Sequence, residues 1–248
     1  MIFNLKRYKF AKSPLNITQE IEDKIDSKLD KLMSVIDTIH RHGNPATPGA
    51  VFYRDYLEFK NPYTEQMDCV YLYCLSDDSG KGATYDRHMR SVNLYVQVNN
   101  PKLNNEYTKN TIKDSLIHEI SHYIDDSIKP LDISDNYNNT MNKKPKEWTE
   151  EDDEIHAIEP IEVKAYQTEI AYAIKNGIKE GKTDINNIKK WLRSHLNEFP
   201  KDRGLSATDI FGDIDVDTKV LNFWRKHKEL DAELKLKVYG LLHKNGLI

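Results

Sequence analysis

Apolar side chains recur every three or four positions along residues 17–42, with charged residues between them. The recurring set is Ile21, Ile25, Leu29, Leu32, Ile36 and Ile39. This spacing places them on one face of an α-helix and predicts a long amphipathic packing helix. Asn16 or Thr18 is expected to cap the start of the helix, and the Gly43-Asn44-Pro45 sequence is expected to end it.

The pattern then changes to one that favours β-strands. Residues 51–59 and 67–75 are rich in β-branched and aromatic side chains, and turn-forming residues separate them. The glycine-containing residues 76–86 are expected to form a loop. Strict alternation follows and predicts a half-buried strand over residues 92–98. One face of that strand carries Val92, Leu94, Val96 and Val98, and the other carries Asn93, Tyr95, Gln97 and Asn99.

Helical patterns dominate the rest of the chain. A helix with an apolar side is expected to begin near Thr111 and Asp114, which resemble a capping pair. Residues 127–157 are rich in asparagine and acidic side chains without periodicity, which predicts a long irregular segment that acts as a lid. Further helices are predicted from Pro160 to Gly177, after Thr183 as a cap, and as a pair within 214–245. The fold class expected from this order is α+β.

Composition and charge bear on the expected partners and location of the protein. The chain has 248 residues with a net charge of −4, so its charge gives no support for a nucleic-acid partner. No segment has the roughly 20 apolar residues of a membrane span, and the N-terminus lacks a signal-peptide core. A cytoplasmic protein is expected, or one carried inside an assembled particle such as a virion. Cys69 and Cys74 are expected on opposite faces of one strand as free thiols.

The strongest chemical signal is the sequence "HEISH" at residues 118–122. Residues four apart are neighbours on one face of a helix, so His118 and His122 can present two imidazoles to one metal ion. Glu119 is rotated away from that ion and can instead take a proton from a metal-bound water. The alternative is a buried helix whose histidines join a hydrogen-bonded core network, because apolar residues surround the motif.

The segment "LIHEISHYID" resembles the active-site helix of the zincin metallopeptidases. Asp125 and Ile128 stand where the metzincin branch has glycine and histidine, so the chain is similar to the gluzincin branch, whose third ligand is a glutamate on a later helix. The resemblance implies a Zn²⁺ cofactor, a small antiparallel or mixed sheet packed on the motif helix, and a preceding strand at the sheet edge along which substrate lies. That substrate edge is expected near Tyr95 and Gln97. The Asn-Glu and Ser-Asp pairs of the thermolysin type are absent.

The third ligand is sought among the acidic residues and the histidine that follow the motif. The candidates are Asp152, Asp153, Glu154, His156, Glu159, Glu162 and Glu169. Glu162 is favoured, since it opens a helix in a "P-x-E-x-x-A" segment similar to that of small peptidase-like proteins, and Ala165 leaves space beside it. Glu159 is the alternative. A carboxylate in a first helical turn is also explained by the helix dipole alone.

Four further residues are candidates near this site. His156, expected in a loop, and Tyr166, on the same helix face as Glu162, could donate to an oxyanion, although simple packing explains both. Asp125 or Asp126 could orient a motif histidine, or could be solvated.

The sequence therefore predicts a zinc metallopeptidase that acts on a protein or peptide substrate, with metal ligands His118, His122 and Glu162 and catalytic residues Glu119, His156 and Tyr166. A zincin-like catalytic domain is expected over 1–178, including the N-terminal helix, and a helical extension over 179–248. Two alternatives remain: a weakly active or inactive zincin-fold assembly protein, for example of a phage or mobile element, and a purely structural metal site.

Overall fold

The computed structural model describes residues 15–42, 46–77, 82–100, 106–128, 134–143, 147–193, 210–214, 216 and 218–248. The chain divides into two compact units. The sheet unit is Asn16–Asp132, and the helical unit is Met1–Leu15 with Ile133–Ile248. The predicted boundary at residue 178 differs from this division, and the functional division that it implies stays a prediction.

The sheet unit begins with helix α1, Gln19–His42, as its periodicity predicts. Five of the six apolar residues on the predicted face are buried, and Ile39 is half-buried. Thr18 supplies the cap, because its hydroxyl oxygen accepts a hydrogen bond from the backbone N–H of Ile21 at 3.3 Å. The expected stop at Gly43-Asn44-Pro45 lies outside the described residues.

The sheet has four strands in the order β1-β2-β4-β3. Strands β1 and β2 form an antiparallel hairpin, β2 and β4 are parallel, and β3 and β4 are antiparallel. The strands are β1, Val51–Lys60; β2, Met67–Ser76; β3, Gly82–Asp86; and β4, Ser91–Val96. The loop prediction for residues 76–86 is therefore wrong over β3. This short segment contains a glycine and lacks an alternating pattern, and its pairing with β4 makes it a strand.

Strand β4 is internal to the sheet, which contradicts the expected substrate edge. Tyr95 pairs with Leu75 of β2 on one side and with Gly82 of β3 on the other, so its backbone has a neighbour on each flank. Gln97 lies just beyond the end of β4. Strands β1 and β3 form the two edges of this sheet.

The motif helix, α2, spans Glu106–Ile128 and packs on β3, β4 and α1. Thr111 therefore lies inside the helix, and the prediction that it caps the start is wrong. The apolar side of the helix is fully buried: Leu116, Ile117, Ile120, Tyr123 and Ile124. The resulting unit is a small mixed sheet with α1 and the motif helix packed on it, which confirms the α+β class.

An ion-pair network joins α1 and α2 near the start of both helices. Lys113 Nζ lies 3.2 Å from Glu22 Oε1 and 2.8 Å from Asp26 Oδ1. The Glu22 side chain is only 2% exposed, whereas that of Asp26 is 39% exposed. Burial opposes the charged form of Lys113, but the hydrogen bond to Asp26 and the charges of Glu22 and Asp26 prevail and raise its pKa.

We expect Lys113→Met to lower the free energy of unfolding by about 2 kcal/mol, less than the 3–5 kcal/mol of a fully buried pair, because Asp26 is partly solvated. The variant leaves the buried Glu22 carboxylate without its cation. At pH 7 the whole contribution is present, since a raised folded-state pKa means that the stabilisation is lost only as the pH rises through that pKa. Urea denaturation measures the change. Adding Glu22→Leu should restore most of the loss, and a single variant as stable as wild type would contradict the network.

The helical unit contains two helices within the segment that the sequence predicts to be irregular. Residues 135–141 and 150–158 are helical, so the prediction for residues 127–157 is wrong over most of the part that the structure describes. The described helices of this unit are α3, Asp135–Met141; α4, Glu150–Ile158; α5, Pro160–Lys179; α6, Ile185–Arg193; α7, Thr218–Lys226; and α8, Lys228–Lys244.

Asp152 explains why α4 forms in so polar a segment. Thr149 and Asp152 make a reciprocal capping box at the start of the helix. The carboxylate of Asp152 also accepts hydrogen bonds from Lys143 and from the Thr140 hydroxyl at the end of α3. The hydrogen bonds from Lys143 and Thr149 hold the pKa of Asp152 below its ordinary value. A single aspartate thus ties α3 to α4 without any apolar periodicity.

The apolar centre of the helical unit lies among α4 to α8. Trp224 is fully buried, and its indole N–H donates to the Ala157 carbonyl oxygen at 2.8 Å. The predicted cap of α6 is wrong by one residue, because Asp184 accepts from the N–H of Asn186 while the Thr183 hydroxyl donates to the Ile210 carbonyl.

The structure also bears on the two cysteines and on the absence of a membrane-spanning pattern. Cys69 is exposed and Cys74 is buried, and both are free thiols on β2, as predicted. Burial and the charge of Asp55 raise the pKa of Cys74 to about 12, so this thiol is inert. Among the described helices, none combines the length and the apolarity that crossing a membrane requires.

Candidate metal centre

Tyr123 fixes the turn of α2 that carries the second motif histidine. Its ring meets the rings of Phe59 and Tyr85 edge-on, with centroids 5.9 Å apart in both pairs. Its hydroxyl accepts a hydrogen bond from Arg90 Nη2 at 2.7 Å and donates to the Cys69 carbonyl oxygen at 3.2 Å. Because ring and hydroxyl are both engaged with the sheet, this turn has little freedom to rotate.

The two motif histidines lie one above the other on α2. His118 is 8% exposed and His122 is 7% exposed. Their Nε2 atoms are 3.1 Å apart, and their rings are inclined at 78°. Two nitrogens, each about 2.0–2.1 Å from a tetrahedral zinc ion, lie about 3.3 Å apart. The pair therefore fits two adjacent ligand positions, although the same separation also suits a hydrogen bond between the rings.

A buried polar network supports α2 beside this pair. The Asn16 amide donates to the Ser121 carbonyl oxygen at 3.0 Å and to Asp125 Oδ1 at 3.3 Å, and it accepts from the Ser121 hydroxyl at 3.0 Å. All three residues are at least nine-tenths buried. The sequence suggested Asn16 only as a helix cap, because nothing in its neighbourhood indicates a partner more than a hundred residues away.

We expect Asn16→Ala to lower the free energy of unfolding by about 1–3 kcal/mol, since it removes the hydrogen bonds that buried groups of Ser121 and Asp125 make with the Asn16 amide. The expected loss exceeds that of Asn139→Ala, which removes an exposed amide of α3. Chemical denaturation of both variants beside wild type gives the comparison. Equal stability of the two variants would show that the network does not support the motif helix.

Glu162 lies at the start of α5, as the sequence predicts. Pro160 begins the helix, where its fixed φ and missing N–H are tolerated. Glu162 is in the first turn, where unpaired N–H groups and the helix dipole favour a carboxylate. It is only 3% exposed. The dipole explains why a buried charge is tolerated at this position.

His156 and Tyr166 both lie near Glu162. His156 is in the last turn of α4, not in a loop, and its Nε2 is 3.7 Å from Glu162 Oε1. The Tyr166 hydroxyl is 3.4 Å from His156 Nδ1. The Trp148 ring lies against His156 with centroids 5.2 Å apart. The prediction that His156 and Tyr166 donate to an oxyanion stays a prediction, and no sequence signal identified Trp148.

His118, His122 and Glu162 form a buried group that could hold a metal ion. One ligand atom from each residue lies within 4.8 Å of the other two. We call these three residues the metal triad. Each side chain can offer an acceptor lone pair, and a buried cluster of acceptors is stabilised by a cation at its centre. The donor set therefore fits a metal ion.

Four of the other acidic candidates have described partners of their own. Glu159 accepts hydrogen bonds from the backbone N–H of Ser134 at 3.1 Å and from its hydroxyl at 2.7 Å. Asp152 serves the capping box, and Asp153 and Glu154 pair with Lys219 and His227, respectively. Among the described candidates, Glu162 is the one that groups with both histidines.

Glu119 is half-buried and follows His118 on α2. One residue along a helix is a rotation of about 100°, so Glu119 borders the histidine face without sharing it. It is not part of the metal triad. The role predicted for Glu119, to take a proton from a metal-bound water, stays a prediction.

The aspartates that follow the motif contact other parts of the sheet unit. Asp126 accepts a hydrogen bond from the Tyr85 hydroxyl at 3.0 Å and pairs with Arg87 Nε at 3.1 Å. Burial, together with the hydrogen bond to Asp126 and its charge, raises the pKa of Tyr85. These groups line an open hollow of about 460 Å³, one helical turn beyond His122. Orientation of a histidine by Asp125 or Asp126 stays a prediction.

Comparison with models of known protein families, with curated proteins and with solved structures finds no match for this chain. We therefore infer the function from the residues of the site and from their chemistry.

Proposed function

We propose that this protein is a zinc-dependent metallopeptidase that hydrolyses peptide bonds in a protein or peptide substrate. The metal triad carries the proposal: two buried imidazoles one helical turn apart and a buried carboxylate within 4.8 Å, with a second carboxylate, Glu119, bordering the same helix face. Three protein ligands leave one position open on a tetrahedral zinc ion, which is typical of catalytic sites and not of structural ones.

The donor types favour zinc among the common metals. Imidazole nitrogen together with carboxylate oxygen suits zinc, whereas calcium and magnesium take sets of oxygen ligands. Neither cysteine belongs to the triad, so a thiolate-rich structural zinc site is not the arrangement proposed. A bound zinc ion would supply a water of lowered pKa and would polarise the scissile carbonyl.

Residues of the chain would hold the ion and transfer the proton. His118, His122 and Glu162 would hold the ion, and their burial would keep bulk water from competing with substrate. Glu119 would accept a proton from the attacking water and deliver it to the leaving amine, because a carboxylate beside the ligand face can reach the water without occupying a ligand position. The Tyr123 contacts with the sheet would keep the two imidazoles and Glu119 in a fixed relation.

The experiment combines elemental analysis of the purified protein with digestion of a peptide library followed by mass spectrometry. We expect about one zinc per chain and discrete cleavage sites, together with loss of cleavage after chelation and recovery when zinc is added back. A protein that holds zinc at full occupancy and cleaves no peptide in the library would contradict the peptidase proposal and leave the metal centre standing.

One observation favours a second candidate, a catalytically silent zincin-fold protein with a structural zinc, such as an assembly protein of a phage or mobile element. Strand β4 has neighbours on both sides, so the edge expected to align substrate is occupied. In that case Glu119→Gln changes neither assembly nor metal content. Cytoplasmic or virion-associated placement remains a proposal that accompanies these two functions.

A further inference from the structure

We propose that His156 is a positioning residue for Glu162, and that Tyr166 fixes the tautomer in which it acts. The inference rests on the proposed metal centre, because it assigns an outer partner to the ligand that α5 contributes. The three residues lie in the helical unit, and described contacts join them in sequence from the phenol to the imidazole and on to the carboxylate.

The Nε2 side of the His156 imidazole faces Glu162. Nε2 of His156 is 3.7 Å from Oε1 of Glu162, longer than a normal hydrogen bond but close enough for electrostatic attraction between an N–H and a carboxylate. An ionised carboxylate offers only acceptors. A lone pair on Nε2 would therefore face another lone pair, whereas an N–H at Nε2 is attracted to the carboxylate. The favourable state of His156 places a proton on Nε2.

The other ring nitrogen of His156, Nδ1, faces Tyr166. The hydroxyl of Tyr166 is 3.4 Å from Nδ1, within hydrogen-bond range. In a neutral imidazole with its proton on Nε2, Nδ1 is an acceptor, and a phenol can donate to it. Tyr166 lies one helical turn after Glu162 on α5, so the same helix carries the ligand and the group that sets the tautomer of its partner.

Two aromatic rings limit the movement of the His156 imidazole. The His156 ring contacts the Trp148 ring, at 5.2 Å between centroids, and the Tyr166 ring, at 6.0 Å. The His156 side chain is 17% exposed. An imidazole confined in this way loses little entropy when its N–H approaches the carboxylate, and outer partners of this kind typically contribute 10–100-fold to metal affinity.

The test compares His156→Leu with His156→Gln. Leucine keeps the apolar bulk and removes both nitrogens, whereas the glutamine side-chain amide can place an N–H near the position of Nε2. Zinc affinity is measured by competition with a chromogenic chelator on the full chain. We expect His156→Leu to weaken binding about 10–100-fold and His156→Gln to recover most of that loss. His88→Gln, which changes an exposed histidine of the sheet unit, is the control expected to match wild type.

Tyr166→Phe gives an independent test that keeps the aromatic ring. We expect a smaller loss of zinc affinity, and a shift in the visible absorption bands of the Co²⁺-loaded protein in both Tyr166→Phe and His156→Leu. Tyr239→Phe, in the exposed part of α8, should leave the spectrum unchanged.

The possible outcomes distinguish the positioning role of His156 from the proposed metal centre. A wild-type protein that binds neither zinc nor cobalt overturns both. A wild-type protein that binds zinc, with unchanged affinity and spectrum in His156→Leu and Tyr166→Phe, overturns the positioning role alone. Equal losses in His156→Leu and His156→Gln also overturn it, because a general packing defect would then explain the effect. If His156→Leu fails to fold, Tyr166→Phe decides.

Discussion

Replacing Glu119 with glutamine is expected to lower kcat by about 10²–10⁴-fold, the contribution typical of a general base, while the zinc content stays that of wild type. Glutamine has nearly the shape of glutamate but cannot accept the proton of an attacking water. Glu119 is half-buried and borders the histidine face of α2, which is where the proposed proton acceptor is needed. The measurement is the rate of cleavage of the best peptide found in the library, with zinc determined on the same samples.

The matched control is Glu58→Gln, which removes an exposed carboxylate from β1 in the same unit. It should retain wild-type kcat and zinc content. Loss of zinc in Glu119→Gln would instead make Glu119 a ligand. Retention of full cleavage would remove it from the reaction and with it the mechanism proposed for this site.

Replacing His122 with alanine is expected to weaken zinc binding by more than 100-fold, beyond the 10–100-fold typical of an outer partner, because a ligand itself is lost. The loss has a second readout in stability. At a zinc concentration of 100 times Kd, binding raises the free energy of unfolding of the wild type by about 2.7 kcal/mol. His122→Ala should show almost none of this increase.

Denaturation curves with zinc and with chelator, on wild type and His122→Ala, measure this difference directly. His88→Gln again serves as the control, because it removes an exposed histidine from the same unit and should keep the zinc response. A zinc response of equal size in His122→Ala would locate the stabilising ion elsewhere.

The secondary-structure elements that follow from local periodicity were predicted correctly from the sequence. The face of α1, the hairpin strands and the alternation of β4 follow from patterns that repeat over many residues. The meeting of His118 and His122 also follows from helix geometry alone, since residues four apart must be neighbours. The position of Glu162 could be predicted for a similar reason, because a proline and an acidic residue mark the first turn of a helix.

Features that depend on distant partners were missed. Strand β3 has no alternating pattern of its own and forms by pairing with β4. Helix α4 is stabilised by an aspartate that also ties it to α3, which a search for apolar periodicity cannot detect. Thr111 is a residue type that often caps helices, but it lies within α2. Packing against the sheet makes this helix begin earlier than the sequence predicts. The partners of Asn16 were missed for the same reason, because they lie more than a hundred residues away along the chain.

The central claim, that His118, His122 and Glu162 bind one zinc ion, is tested most directly by a crystal structure of the protein grown with zinc, with anomalous data collected on both sides of the zinc absorption edge. The account predicts one strong anomalous peak about 2.0–2.2 Å from a nitrogen of each histidine and from a carboxylate oxygen of Glu162. A map without a peak there, in which the imidazoles are hydrogen-bonded to each other and the Glu162 carboxylate has another partner, would contradict it.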